Sequence, residues 1–305
     1  MRQPFHEGEL ELQKKYKAYH PPKLVKRLLK DHILNELIPF IEKQTTVIIS
    51  AIDEEDHIWT SMIIGNKGFI KVQNPKQLDI FLNKTQRNEK DIFLMNIQTN
   101  TNVGLLFIDT ASRTRYRMNA SAEIINDTII FSITEAYPNC PKYIQQRVLS
   151  ISKENTSVKS EQTTGTILND FQRNWITNAD TFFLGSVNKH GNMDASHRGG
   201  PKGFIQLLEN DILKIPDYIG NNLFNTLGNF LQCPKSGLLF IDYENGNALQ
   251  LSGSTTLVLD QENTEDLKTT MGTGRYWLFK PEKWIQTKTY YTADWRFISF
   301  SPFNP

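Results

Sequence analysis

The sequence predicts a mostly β, α+β chain made of two small barrels in tandem, with flanking helices. Two observations predict it. The six letters GLLFID occur at 104–109 and return at 237–242, and the likeness continues upstream. RNEKDIFLMNIQTNTNV (87–103) lies without a gap over GNNLFNTLGNFLQCPKS (220–236). TVIISAIDEEDHIWTSMIIGNKGFI (46–70) lies over TFFLGSVNKHGNMDASHRGGPKGFI (181–205), and PKYIQ (141–145) is echoed by PEKWIQ (281–286). Self-similarity over such lengths is the mark of a repeated folding unit. The second observation is that short β-rich runs dominate each copy, with a single helical stretch placed before GLLFID.

Taken in order, PPKLVKRLLKDHILNELIPFIEKQ (21–44) sets Leu24, Leu28, Ile33, Leu37 and Ile41 at helical intervals. It predicts an amphipathic helix kinked or ended near Pro39. TVIISAID and HIWTSMIIG, separated by the turn-forming DEED, predict a hairpin. GFIKV, GLLFID, RYRMNASAEI and TIIFSI predict further strands, and KDIFLMNIQ a short helix. The polar stretch SISKENTSVKSEQTTGT (150–166) reads as a linker or mobile surface loop. ILNDFQRNWITNAD (167–180) reads as a helix leading into the second copy, and the aromatic, alternating tail as the completion of the second barrel. The expected division is 1–149 for the N-terminal helices and first barrel, 150–180 for linker and helix, and 181–305 for the second barrel.

Composition narrows the functions. Among 305 residues, 39% are hydrophobic and 11% aromatic, enough for two cores. With 34 basic and 33 acidic residues interspersed, no overall field favours nucleic acid or an anionic membrane, so neither partner is expected. No run approaches the ~18 apolar residues of a membrane span, and the start lacks a signal core; a cytoplasmic protein is expected. The two cysteines, Cys140 and Cys233, read as reduced thiols. The six histidines are scattered without metal-ligand spacing, so no metal is expected.

The copies differ where chemistry would sit. SMIIGNKGF in the first becomes SHRGGPKGF in the second, with His197 and Arg198 replacing Met62 and Ile63. An arginine before Gly-Gly suits a phosphate, since the backbone can approach closely there; it is equally a glycine-rich turn after a strand end. PDYIGNNLFNTLGNF (216–230) carries Asn221, Asn222, Asn225, Thr226 and Asn229 beside the apolar Leu223, Phe224, Leu227 and Phe230. A helix opened by Gly220 with asparagines in its first turn would offer free N–H groups to an anion; the alternative is an N-cap with a solvated polar face. Arg113, Arg115, Arg117 and Asn119 alternate along TASRTRYRMNAS and share one strand face, either toward a ligand or as a charged edge against aggregation.

GNMDASHRGGPKGFIQL, PDYIGNNLFNTLGN and SGLLFIDYENGNALQLSG resemble the FMN-binding split-barrel proteins related to pyridoxamine 5′-phosphate oxidase. FHEGELELQ (5–13) and YPNCPKYIQQR (137–147) resemble motifs of that family's two-barrel branch. The resemblance runs from Phe5 to about residue 256. It implies tandem FMN-binding split β-barrels, FMN as cofactor at the barrel–barrel interface, and phosphate contacts from Ser196, His197 and Arg198. The oxidase's Ser-Arg-Lys run at the helix start is replaced here by Gly220, Asn221 and Asn222, so amides stand in for cations. The expected cofactor contacts are Ser196, His197, Arg198, Gly200, Lys202, Asp217, Tyr218, Asn221, Asn222, Asn225 and Thr226, with Lys142, Tyr143 and Gln145 from the first copy.

The resemblance implies an FMN-dependent oxidoreductase acting on a small-molecule substrate, with NADH or NADPH as candidate donor and a homodimer as one arrangement. A non-catalytic protein that binds flavin or another phosphorylated ligand stands beside it, and no residue is assigned as catalytic. His197 is either a proton shuttle or a phosphate or structural contact. Cys140 is either a nucleophile or a small packed residue.

Overall fold

The computed structural model describes residues 4–86, 91–151 and 160–305. Three N-terminal helices, α1 (Glu7–Lys15), α2 (Pro22–Leu28) and α3 (Ile38–Glu42), precede the first sheet. That sheet contains β1 (Thr46–Ile52), β2 (Ile58–Ile64), β3 (Ile70–Asn74), β4 (Gln77–Phe81), β5 (Asn102–Asp109), β6 (Thr114–Ile125) and β7 (Thr128–Asn139), with α4 (Ile92–Thr99) before β5. Then come β8 (Gln146–Ile151), β9 (Glu161–Gly165) and α5 (Asp170–Asn178). The second sheet contains β10 (Thr181–Val187), β11 (Met193–Gly199), β12 (Gln206–Leu207), β13 (Leu213–Pro216), β14 (Lys235–Asp242), β15 (Asn247–Val258) and β16 (Tyr276–Lys288). Within it α6 (Asn225–Gln232) precedes β14 and α7 (Thr264–Thr269) precedes β16; β17 (Ala293–Ser299) ends the ordered elements.

The two sheets are antiparallel throughout and have the same strand order. The first runs β2-β1-β5-β6-β7-β4-β3 and the second β11-β10-β14-β15-β16-β13-β12. Even the irregularities coincide: β6 slips register between Asn119 and Ala120, and β15 between Ser252 and Gly253, just where the two GLLFID copies superpose the strands. In the first unit the sheet curls until its edges meet, with Gln86 N–H donating to Ile64 O at 2.8 Å and Asn66 N–H to Lys84 O at 3.0 Å. The chain is therefore mostly β, a tandem of split barrels with flanking helices.

GLLFID is apolar at every central position because both its faces are buried. Leu105 and Phe107 point into the first barrel's core, and Leu238 and Phe240 into the second's. Leu106, Ile108, Leu239 and Ile241 point the other way, into a third core that the two barrels share with Ile48, Met62 and Phe183. A strand buried on both faces loses its alternation, and each such side chain contributes about 1.5–3 kcal/mol on leaving water. The repeated glycine has its own reason. A Cβ on Gly104 would lie 2.5 Å from Ala195 N, and one on Gly237 would strike the backbone of Ile58 and Trp59. Each barrel thus presents a glycine to the backbone of the other, and any side chain there would push the barrels apart.

Several expectations change. Residues 21–44 are not one helix; α2 and α3 are separated by extended chain and a short 3-10 turn at Asn35–Leu37. Lys30 there bridges to Ala136, and Ile33 enters the first core, so tertiary contacts outweigh helical periodicity. The polar stretch 150–166 contains β9, which pairs with β16, because its Thr and Gln residues serve an edge strand as well as a loop; residues 152–159 lie outside the described residues. The tail splits: β16 completes the second barrel, but β17 pairs with β8. The PKYIQ and PEKWIQ likeness is not positional, since Gln286 sits within β16 opposite Leu249, whereas Gln145 follows β7.

Candidate functional site

The strand β11 is an edge strand of the second sheet, and its free side lies against β5 and β6 of the first barrel. Its polar residues therefore meet residues from the other unit. Arg117 of β6 donates to Ser196 Oγ and, at 2.9 Å, to Tyr137 Oη, and lies 3.5 Å from Asp194. Ser196 Oγ shares a hydrogen bond of 3.2 Å with Thr226 Oγ1, tying the strand to the first turn of α6. Arg115 reaches His197 Nδ1 at 3.5 Å and donates to Cys140 O at 2.7 Å.

A cavity of ≈ 110 Å³ opens beside this strand. Arg117, His197, Arg198 and Gly199 line it, with Tyr143 and Tyr218, whose ring centroids are 5.1 Å apart, and Asn221, Asn222, Asn225 and Thr226. Asp217 lines it too, held by Arg275 at 2.8 Å.

The charge balance is the informative feature. Arg117 has Asp194 and Arg275 has Asp217, but among the described residues neither Arg115 nor Arg198 has a carboxylate partner. Arg198 donates only to its neighbour's carbonyl, His197 O at 3.1 Å, and its Nε is buried without a partner. Burial lowers Arg198 to about 10, with Arg115 and Arg117 repelling it and Asp217 offsetting part of the effect. His197 is pushed well below its usual range by burial and by the arginines around it, so it is a neutral imidazole whose Nδ1 accepts from Arg115. The positive charge of the site belongs to the arginines alone. An uncompensated buried charge is costly, and an anion in the cavity would remove that cost.

Of the residues singled out from sequence, His197, Arg198, Asp217, Tyr218, Asn221, Asn222, Asn225, Thr226 and Tyr143 line this cavity. Ser196 is buried behind it. Gly200 does not touch it: a Cβ there would meet the Phe204 ring at 2.6 Å, and one on Gly199 would strike Tyr143 O, so the Gly-Gly pair admits the protein's own groups. Lys202 lies at a different surface, near Arg147 and Asp180. Lys142 donates to Ile219 O at 3.3 Å from an exposed position. Gln145 is an internal staple. Its amide donates to Asp180 O at 3.2 Å and Gly200 O at 3.1 Å and accepts from Ser301 N–H at 2.7 Å, leaving nothing for a ligand.

The asparagine segment also differs from its expected form. The helix α6 begins only at Asn225, after Asn222 and Phe224 adopt positive φ (56° and 62°). Asn221 Oδ1 caps the local turn by accepting from Leu223 N–H at 3.1 Å, so Asn221 and Asn222 are loop residues, and the first helical turn presents Asn225 and Thr226. Among the arginines, Arg113 lies in the turn before β6 (φ 54°) and donates to Ile144 O, Ser299 and Phe300 O. The charged-edge reading fails for Arg115 and Arg117, because β6 is flanked by β5 and β7 and has no free edge. Sequence reasoning missed Arg275, for which no local signal existed. It also gave no role to Glu9 of FHEGELELQ, which accepts from Asn225 and from His6 N–H at the start of α1.

No family model matches the chain, and no curated protein matches it. Solved structures similar to it include a pyridoxamine 5′-phosphate oxidase-related, FMN-binding protein from Nostoc punctiforme, at 10% identity and TM-score 0.30 over 44% of this chain and all of that one. An FMN-binding protein from Syntrophomonas wolfei aligns at 13% identity and TM-score 0.27 over 37% of this chain and 80% of its own. A heme storage protein from Vibrio cholerae aligns at 10% identity and TM-score 0.28 over 45% and 99%.

Proposed function

We propose that the chain binds FMN at the cavity between the barrels, phosphate group foremost, and works as an oxidoreductase toward a small molecule, with NADH or NADPH as donor. The observation that carries this reading is Arg198, a guanidinium that lines the cavity and, among the described residues, has no carboxylate partner; Arg115, behind His197, has none either. The motif resemblance supplies the flavin; the charge balance supplies the anion end. The residues present fit that group. Arg198 offers its guanidinium, Thr226 a hydroxyl and Asn225 an amide at the first turn of α6, where backbone N–H groups favour an anion. Tyr143 and Tyr218 offer apolar faces. Bound flavin would supply the electron transfer, and the chain would position it and exclude water.

The test compares FMN with riboflavin, which lacks the phosphate, by quenching of flavin fluorescence. FMN is expected to bind more tightly by about one to two orders of magnitude, as a charge-assisted phosphate contact implies. Equal affinities would reject the phosphate assignment. Adding NADH or NADPH anaerobically to the FMN complex then distinguishes turnover, seen as bleaching, from a flavin-binding protein without turnover.

A further inference from the structure

The loop that opens α6 is strained. Asn222 and Phe224 both have left-handed backbone (φ 56° and 62°), which a bulky side chain rarely adopts and which persists only where the surroundings hold it. Asn222, Phe224 and Asn225 line the cavity, so the shape of that wall depends on what holds the loop.

The hold comes from the start of the chain, residue by residue. His20 Nε2 donates to Asn222 O at 2.9 Å, and Gln13 Nε2 donates to Leu223 O at 3.1 Å. The Tyr16 ring stacks on Phe224 with centroids 5.6 Å apart, and Glu9 accepts from the Asn225 amide. Four consecutive loop residues are thus each gripped by one residue from the segment 9–20. The grip requires α1 and α6 to touch through their backbones: a Cβ on Gly8 would lie 2.2 Å from Gly228 O, and one on Gly228 would lie 2.7 Å from Glu9 N. The helix α1 is also tied down at both ends, by Glu7 to Lys189 at 3.0 Å and by Tyr16 Oη to Asp260 at 3.0 Å. None of residues 4–20 lines the cavity itself. A segment that grips the wall from behind acts on a ligand only through the wall's shape.

We propose that residues 6–20 are a positioning strap, which holds Asn222 to Asn225 in their cavity-lining conformation so that docking of the strap and filling of the cavity reinforce each other. The effect on a ligand rests on the reading that the cavity takes FMN; the grip on the loop does not. By linkage, a ligand that prefers the strapped loop tightens the strap by the same factor.

Gly8→Ala tests the strap without touching the cavity. Alanine is the better helix former, so α1 itself gains and only its seat on Gly228 is lost. Hydrogen–deuterium exchange of the ligand-free protein should show the amides of 222–226 exchanging about tenfold faster in the variant, with β5 unchanged. FMN should bind the variant about tenfold more weakly, and FMN bound to the unsubstituted protein should slow exchange within α1, a response that a merely structural helix would not give. If Gly8→Ala does not fold, Tyr16→Ala, at a half-buried position, carries the same measurements. Unchanged exchange at 222–226, equal acceleration in β5, undiminished FMN affinity, or exchange in α1 indifferent to bound FMN would overturn the proposal. An unsubstituted protein that binds no FMN would reject the flavin reading instead, and the ligand-free exchange would then decide the strap alone.

Discussion

The two barrels meet face to face, so the interface contains two equivalent places, and only one is a polar cavity. At the first, Ser196, His197 and Arg198 of β11 face Arg115 and Arg117 of β6 around ≈ 110 Å³. At the second, the matching residues are Ser61, Met62 and Ile63 of β2 and Ala248 and Gln250 of β15, and Met62 and Ile63 line a space of only ≈ 30 Å³. The side-chain contact behind each place is the same: Gln250 donates to Ser61 Oγ at 3.0 Å, as Arg117 does to Ser196 Oγ. What differs is how the gap is filled. Tyr290 enters the second place, donating to Asp91 and accepting from Met62 N–H at 3.1 Å, while Ser61 donates to Asp91 at 2.7 Å. That network satisfies itself, whereas the arginines of the first place do not. One scaffold thus yields a closed structural contact and an open cavity lined by uncompensated arginine by exchange of a few side chains.

The contrast breaks most readily at Arg198. Arg198→Ala should weaken FMN binding by about 10- to 100-fold and leave riboflavin within about twofold, while Ile63→Ala at the matching place should change neither. Equal weakening of both flavins would make Arg198 a support of the fold.

The second place should answer in stability. Tyr290→Phe leaves the Met62 N–H and the buried Asp91 short of a partner and should cost about 1–3 kcal/mol by urea denaturation, with flavin affinity unchanged. A loss of flavin affinity at unchanged stability would show the second place to be more than a contact.

The two places should also differ in their response to acid. His197 titrates in the folded protein well below its ordinary value, whereas its counterpart Met62 cannot titrate. Below about pH 6.5 the unfolded chain takes up a proton that the folded chain refuses, so stability present above that pH is lost as pH falls. The loss attributable to His197 approaches about 1.4 kcal/mol per pH unit, and His197→Gln should flatten the curve by that amount. Identical slopes in the two proteins would mean that His197 is protonated in the folded state. The smallest effect belongs to Lys142, exposed and bonded to one carbonyl: Lys142→Ala should shift stability by less than about 0.5 kcal/mol and FMN affinity by less than about twofold. A larger loss of FMN affinity would return Lys142 to the ligand side.

Much of the architecture was legible in the chain. GLLFID reads as a strand because it is apolar throughout, and its two copies mark equivalent strands of two barrels; the hairpin at 46–64 and the short helix before each copy follow from turn chemistry and local periodicity. These are interactions between residues near in sequence, and propensity and burial pattern record them. The replacement of Met62 and Ile63 by His197 and Arg198 likewise marked the copy whose strand lines the polar cavity. The tertiary structure alone decided which polar groups were already occupied. Gln145, Lys202 and Gly200 resembled ligand residues until the fold turned them to other uses, and Arg115 resembled a surface charge until β6 was placed between two strands and against β11. The physical reason is that a charge or an amide acts through what lies within a few ångströms of it. Arg115 and His197, 82 positions apart, become neighbours only when the barrels dock, so pairing and its absence are properties of the packed molecule.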